Sequence, residues 1–393
     1  MKEVEQTLAS SYREVNNGSR IRATVYFVPV SSENPYQRQL ADELRLHCVE
    51  VCSSTTLEEI LRKSRSTKQY RVLHLHWLPT FRGGLRRIAG FTLHLLRIWL
   101  ISRRGCRVIW TAHNVYAHES KSKRADWLFT AAICWICKAV IVHSPRAAAA
   151  IAKEFLRGDT RRIRVIPHGN YINAYPNTIN RADARKALSI PENRLVIGCV
   201  GNLRPYKGLD RLMRLLGAIP NPEVLLLIAG STFDDAYTEQ LSIFANRDPR
   251  IILHPRYLRD DEMQIYFNAA DIVAFPYRAI LTSGAVLLAM SFGRACLVPR
   301  LGSIPDYVDE SCGVFFDSES DEGLRLGLER VIARRNRLAQ MGACAFRRTS
   351  KWNWRDIALA TMSAYGIPLE RREAERMNAA CRDWWHDDPV GAR

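Results

Sequence analysis

Short runs of β-branched and aromatic residues alternate with helix-length segments along almost the whole chain, and the alternation occurs twice. In the first series the runs 21–30 (IRATVYFVPV), 71–78 (RVLHLHWL), 107–111 (RVIWT), 139–143 (AVIVH) and 163–166 (IRVI) read as strands. Between them stand NPYQRQLADEL, with Asn34 placed to cap a helix and Pro35 at its first position, and helix-like stretches at 85–102, 127–137 and 145–155. Residues 171–194 hold Pro, Asn and charge with little periodicity and read as a linker with one short helix. The second series has strands at 195–200 (LVIGCV), 224–229 (VLLLIA), 251–254, 271–275 (DIVAF) and 295–299, with helices at 209–216, 260–269, 283–292 and 322–334. A strand that must meet the next strand in parallel needs a crossover, usually a helix, so this order specifies α/β units with doubly wound parallel sheets.

The chain's 393 residues suffice for two such units, each with its own core. With 47% hydrophobic and 25% charged residues it is neither disordered, collagen-like nor coiled-coil. Lys and Arg number 57 against 40 Asp and Glu, a net charge of +17 that points to nucleic acid, an anionic membrane surface or phosphorylated ligands. The nucleic-acid class lacks a recognition motif and interleaved stacking aromatics. No GxGxxG follows the first strand, which argues against a dinucleotide oxidoreductase. The polar first 20 residues read as a lead-in rather than a secretory signal, and no apolar run reaches spanning length, 127–142 being broken by Lys138. Ten scattered cysteines suit a reducing, cytoplasmic compartment, and the pair Cys134 and Cys137 reads as a buried helix face. His74 and His76 are too few for a metal site.

Ligands of doubly wound sheets bind outside the carboxyl ends of the strands. Directly after LVIGCV comes Gly201-Asn-Leu-Arg-Pro-Tyr-Lys-Gly208. Gly201 lets a ligand approach the backbone, Arg204 and Lys207 supply two cations, and Gly208 opens a helix with an electropositive end, a set suited to a diphosphate. The spacing is not that of a P-loop. After DIVAF, Tyr277 precedes Thr282-Ser283-Gly284, whose hydroxyls and N–H groups at a helix start could bind phosphate; Ser283 could equally serve as a plain N-cap.

These segments, GNLRPYKGLDRL, LIAG, DEMQIYFNAADIVAFPYR and SGAVLLAMSFGRACLVPRLGSIPDYV, resemble in order and spacing the nucleotide-sugar domain of GT-B glycosyltransferases, most closely glycosyltransferase family 4 and related bacterial exopolysaccharide enzymes, over roughly residues 195 to 310. WTAHNVYAHE, VHSPRAA and VIPHGNY fit the companion acceptor domain more loosely. The resemblance implies two Rossmann-like domains facing each other across a cleft: a lead-in at 1–20, an acceptor domain at 21–180, a donor domain at 195–350, and at 351–393 a helix crossing back to the first domain, with a tail. It implies that Arg204 and Lys207 bind the donor diphosphate of a UDP- or GDP-linked sugar, a substrate and not a cofactor, in a metal-independent hexosyl transfer. Two family glutamates eight residues apart are replaced by Ile280 and Leu288, which leaves the stereochemistry open and admits a catalytically inactive scaffold as the alternative. The Thr-Ser-Gly turn is similar to that of inverting β-mannosyltransferases.

In the first half, His113, His118 and Glu119 follow the strand RVIWT. An acceptor hydroxyl needs a general base within hydrogen-bond reach; Glu119 is the first choice, then His113, with Asp126 more remote. Trp77 could stack on an acceptor sugar or sit in the core; His168 and Asn170 end the last strand of this half, where the resemblance implies a cleft-lining role. The helix at 85–102 carries Arg86, Arg87 and Arg97, followed by Arg103 and Arg104, around Ile88, Phe91, Leu95, Trp99 and Leu100. That pattern suits either peripheral contact with an anionic membrane, bringing the site to a lipid-diphosphate-linked glycan on the inner face, or a core helix whose arginines snorkel.

Overall fold

The computed structural model describes residues 21–30, 35–52, 56–63, 70–79, 85–115 and 122–385. The lead-in, Asn34, His118 and Glu119 fall outside these residues. The chain divides into two compact units, Met1–Gly169 with Asn353–Arg393, and Asn170–Trp352.

The first unit is built on β1 (Ala23–Val28), β2 (Val49–Cys52), β3 (Arg71–Leu75), β4 (Arg107–Thr111), β5 (Ala139–Val142) and β6 (Ile163–Val165). Among the described residues these form one six-stranded sheet, ordered β2-β1-β3-β4-β5-β6 and parallel throughout. The crossovers are α1 (Pro35–Leu46), α2 (Leu57–Lys63), α3 (Leu85–Arg103), α4 (Lys123–Ile136) and α5 (Pro145–Phe155). Helix α4 starts four residues before the apolar run that announced it, because the Ser122 hydroxyl accepts the Ala125 N–H at 3.3 Å and caps it. Strand β2, only four residues long, gave too little pattern to be read in advance.

The second unit contains α6 (Arg181–Ala187), β7 (Leu195–Val200), α7 (Leu209–Gly217), β8 (Val224–Ala229), α8 (Asp235–Arg247), β9 (Ile251–His254), α9 (Met263–Ala269) and β10 (Ile272–Ala274). It continues through α10 (Gly284–Ser291), β11 (Ala295–Pro299), α11 (Ile304–Tyr307), β12 (Gly313–Phe316), α12 (Asp321–Ala333) and α13 (Leu338–Ser350). The sheet order is β12-β11-β10-β7-β8-β9, again all parallel. Counted from its first strand that is the Rossmann order, with the reversal between β7 and β10. β7 and β8 are buried along their whole length, as strands covered on both faces must be, which is why they read as unbroken apolar runs.

The boundary falls at 169/170, earlier than the 180–195 expected from the sequence. The reason is α6. Its Arg185 is fully buried and donates to the Ala269 carbonyl (3.1 Å) and to Asp271 (2.8 Å), and Asp271 also accepts the Val196 N–H at 2.8 Å. An arginine buried with a carboxylate partner is costly to disconnect, so the presumed linker is an integral part of the second unit.

The stretch after 352 completes the first unit. Helix α14 (Trp354–Tyr365) is capped by Asn353, whose side chain accepts the Asp356 N–H at 3.0 Å. The Tyr365 hydroxyl lies 2.7 Å from His74 Nδ1, and the Tyr365 carbonyl accepts from Tyr70 at 2.7 Å. Gly169 leaves no room for a Cβ against the Trp354 ring. From α15 (Arg371–Asp383), Glu373 meets Arg22 at 3.1 Å and His47 at 2.8 Å.

Candidate functional site

In the second unit the site residues converge on the sheet's reversal point. Cys199, Gly201, Asn202 and Lys207 from the end of β7, with Phe275, Pro276 and Tyr277 from the end of β10, line one pocket. Three glycines make this possible. Gly201 (φ +112°) ends β7, and Gly230 (φ +148°) passes so close to the Gly201 carbonyl that a side chain there has no space. Gly208 (φ +69°) closes a single 3-10 turn, Pro205–Lys207, and caps α7, with its α-carbon face pressed on the Pro276 carbonyl. These are left-handed backbone positions that L side chains adopt only with strain. The Arg278 N–H donates to the Tyr206 carbonyl at 3.1 Å and ties the two strand-end loops together.

The cations sit as the sequence places them, on one turn. The Lys207 ammonium lies 3.8 Å from the position a Gly201 Cβ would take, so it flanks the open backbone of that glycine. Burial lowers its pKa from 10.5 to about 8; neighbouring Arg204 pushes the same way and Cys199 opposes. Arg204 is half-exposed and spreads its guanidinium over the Phe233 ring, 4.0 Å from the centroid. Asp210, in the first turn of α7, is held by Arg278 at 2.8 Å and by the Tyr237 hydroxyl at 3.3 Å. A desolvated lysine beside bare backbone gains from an anion, because the anion stabilises the charge that burial opposes.

Ser283 serves as the N-cap of α10. Its hydroxyl accepts the Val286 N–H at 3.3 Å, capping α10, and meets the buried Tyr277 hydroxyl at 3.0 Å. Burial raises the Tyr277 pKa, so the phenol stays protonated. Thr282 reaches Ser303 at 3.3 Å, and Gly284 begins α10. Leu288 is buried and Ile280 half-buried, so these two positions are apolar in space as well as in sequence.

In the first unit the carboxyl ends of β3, β4, β5 and β6 bring His76, His113, His143 and His168 around Tyr36, with His74 behind them on β3. Sequence inspection named single histidines; their assembly into one cluster, closed by Trp354 and Tyr365 from the far end of the chain, is a long-range property that no local pattern carries. All five imidazoles are held neutral by burial. His74 and His143 fall to about 3 and His168 to about 4, while His76 and His113 lie well below 6.5, pushed further by their neighbours.

The hydrogen bonds fix the tautomers. The Ile166 carbonyl, 3.1 Å from His143 Nδ1, can only accept, so His143 carries its proton there and its Nε2 is a bare acceptor. That Nε2 stands 3.3 Å from His113 Nδ1, which must be the donor. His113 Nε2 is therefore a lone pair, and it has no hydrogen-bond partner among the described residues. A buried acceptor left unsatisfied costs roughly 1–3 kcal/mol, which a hydroxyl donor would recover. Trp77, half-buried, stacks on His113 with centroids 4.9 Å apart and planes 18° from parallel. Asp126 is buried in the first turn of α4. Asn170 belongs to the second unit, where its side chain donates to the Thr349 carbonyl (3.3 Å) and accepts from the Ile172 N–H (3.2 Å). His168 Nδ1 donates to the Gly169 carbonyl at 2.8 Å.

Among the described residues no group of His, Cys, Asp and Glu is arranged to hold a metal ion, and each cysteine is a free thiol. Burial raises the Cys134 thiol to about 12 and Cys137 well above its usual value, as expected for the inward face of α4 and its end.

Comparison with known proteins agrees with this geometry. The family described as Glycosyl transferases group 1 matches residues 180–348. The GDP-mannose:glycolipid 4-beta-D-mannosyltransferase of Xanthomonas campestris pv. campestris is 26% identical over 325 residues, 78% of this chain and 83% of that protein. The D-inositol 3-phosphate glycosyltransferase of Corynebacterium diphtheriae is 23% identical over 316 residues, 76% and 71% of the two chains. Among solved structures, the sucrose-phosphate synthase of Thermosynechococcus elongatus superimposes with a TM-score of 0.67 at 17% identity, over 88% of this chain and 98% of that one. Anabaena HepE, solved in complex with UDP and glucose, gives 0.67 at 15% identity, over 88% and 99%. A Rossmann-ordered unit with paired cations at its reversal point, a second parallel α/β unit and these matches together give the chain the GT-B fold, with residues 180–348 matching the group 1 glycosyltransferases.

Proposed function

We propose that this protein transfers a hexose from a nucleoside diphosphate sugar to a lipid-linked glycan, in the assembly of a bacterial polysaccharide. The observation that carries the reading is the placement of Lys207 beside the open backbone of Gly201, with Arg204 on the same turn and the start of α7 next to it. In this reading the pyrophosphate lies along Gly201, and the two cations neutralise the charge that grows on it as the glycosidic bond breaks, which is where electrostatic stabilisation acts most strongly. Tyr277, Thr282, Ser283 and Gly284 border the donor from the end of β10 and the start of α10. The relative from Xanthomonas supports a GDP-linked mannose and a glycolipid acceptor, and HepE supports a UDP-linked donor.

The acceptor hydroxyl is activated in the first unit. In this reading His113 Nε2, a buried nitrogen without a hydrogen-bond partner among the described residues, receives the proton, and Glu119 and His118 follow it in the chain. His168 and Trp77 complete the proposed acceptor surroundings in the first unit. With apolar residues at 280 and 288, sugar recognition does not use a glutamate pair, and direct inversion by a single displacement is the stereochemical course we propose. The same two positions favour one other reading, a binding scaffold without turnover. Turnover of a panel of UDP- and GDP-sugars by the wild type, Arg204→Ala and Lys207→Ala separates the two. Transfer or slow donor hydrolysis by the wild type, lost in both variants with melting temperatures unchanged, supports the transferase. Nucleotide binding without any turnover supports the scaffold.

A further inference from the structure

We propose that the outward face of α3 and α4 is a docking surface for an anionic lipid bilayer. The two helices pack side by side, Phe91 of α3 meeting Phe129 of α4 edge to face with ring centroids 4.7 Å apart. Each buries one side. In α3 the inward positions include Ile98 and Ile101; in α4 they include Phe129, Ile133 and Cys134. The opposite stripe should then be polar. It is not. On α3 the exposed positions are 89, 90, 92, 93, 96, 99 and 103, and among them, at helical spacing, stand Leu93, Leu96 and Trp99. On α4 the exposed stripe carries Trp127, Leu128 (64% exposed) and Trp135 (72% exposed). Six large apolar side chains thus face water on two neighbouring helices of one layer.

The charge around them selects the occupant. Helix α3 has no carboxylate in 19 residues, and the one in α4, Asp126, is buried. Arg103, Lys123, Arg124 and Lys138 border the apolar stripe and are exposed. Arg97, half-buried, is already paired with Glu58 of α2. A second copy of this chain laid on the same face would oppose these cations with themselves. An anionic headgroup layer pairs with each of them, while the leucines and tryptophans reach the acyl boundary where amphipathic rings are favoured. No described helix is long and apolar enough to span, so the contact is one of lying on the surface. The second row on α4 also explains why the arginine pattern of α3 taken alone was compatible with an ordinary core helix.

The inference concerns a surface; its connection to catalysis rests on the lipid-linked acceptor proposed above. The full chain is floated with vesicles of phosphatidylcholine, with and without phosphatidylglycerol. The expected result is binding to the anionic vesicles alone, weakened about tenfold or more in Leu128→Ser/Trp135→Ser and in Lys123→Glu/Arg124→Glu. UDP and GDP binding measured by calorimetry and the melting temperature should stay at wild-type values in both variants, since none of these residues touches the nucleotide pocket. Equal binding to the two vesicle types, unweakened binding by both variants, or a concentration-dependent dimer that the serine variant dissolves would each overturn the proposal. A failure of the donor reading instead shows as absent nucleotide binding and leaves the vesicle result untouched.

Discussion

On the proposed assignment of the donor diphosphate to Lys207, donor affinity should fall in an unusual pH range. With its pKa near 8, Lys207 in the free protein is about nine-tenths charged at pH 7 and about one-tenth charged at pH 9. If only the charged form pairs with the diphosphate, the apparent dissociation constant scales inversely with that fraction and rises about tenfold between the two pH values. A lysine with its ordinary pKa of about 10.5 would lose only a few per cent of its charge over the same interval. Lys207→Arg removes the titration, because a guanidinium stays charged throughout. Calorimetric titration of UDP and GDP at pH 7, 8 and 9 therefore distinguishes the cases by slope: a steep loss in the wild type and a flat response in the arginine variant, whatever its absolute affinity. A wild-type affinity that changes less than twofold, or an equal fall in the arginine variant, would refute the assignment of the diphosphate to this ammonium.

Two further outcomes are expected. His113→Gln should lower transfer by about 100-fold or more with UDP and GDP affinity near normal, as for the loss of a positioned base; a change of only a few fold would move that role to Glu119. The first unit should be the acid-labile one. Its buried histidines have folded pKa values depressed below the unfolded 6.5, so the stability they confer is complete above pH 6.5 and is lost as the pH falls towards 3–4. The slope is roughly 1.4 kcal/mol per pH unit for each histidine that stays neutral. The second unit has a single described histidine, His254. Calorimetry at pH 7.5 and 5.5 should show the loss of stability in the transition of the first unit, and an equal shift of both transitions would contradict this.

Much of the architecture was legible in the sequence because parallel sheets leave an unusually direct trace. VLLLIA and AVIV are buried on both faces and so appear as unbroken runs, and crossovers impose helices between them. The 201–208 loop was legible for a related reason: the positive-φ positions 201 and 208 demand glycine, so the backbone geometry writes itself into the residue types. The short edge strands GVFF and VEVC, and α8, whose DAYTEQLSIFANR carries a weak apolar stripe, gave little periodicity to detect. The charged stretch around Arg185 suggested a linker because its partner Asp271 lies 86 residues away. The histidine cluster was out of reach for the same reason. Its members come from separate strands, and the tautomer of His113 depends on the Ile166 carbonyl through His143.

The discontinuity of the first unit has a consequence for biosynthesis. Its sheet is translated by residue 165, yet Trp354 and Tyr365, which close over Gly169 and His74, leave the ribosome almost two hundred residues later. The second unit, continuous from 170 to 352, is complete before then. The nascent polypeptide must therefore keep an unfinished amino-terminal sheet from aggregating while the later half folds, and a stop codon near 350 would release a protein whose intact half is the second unit.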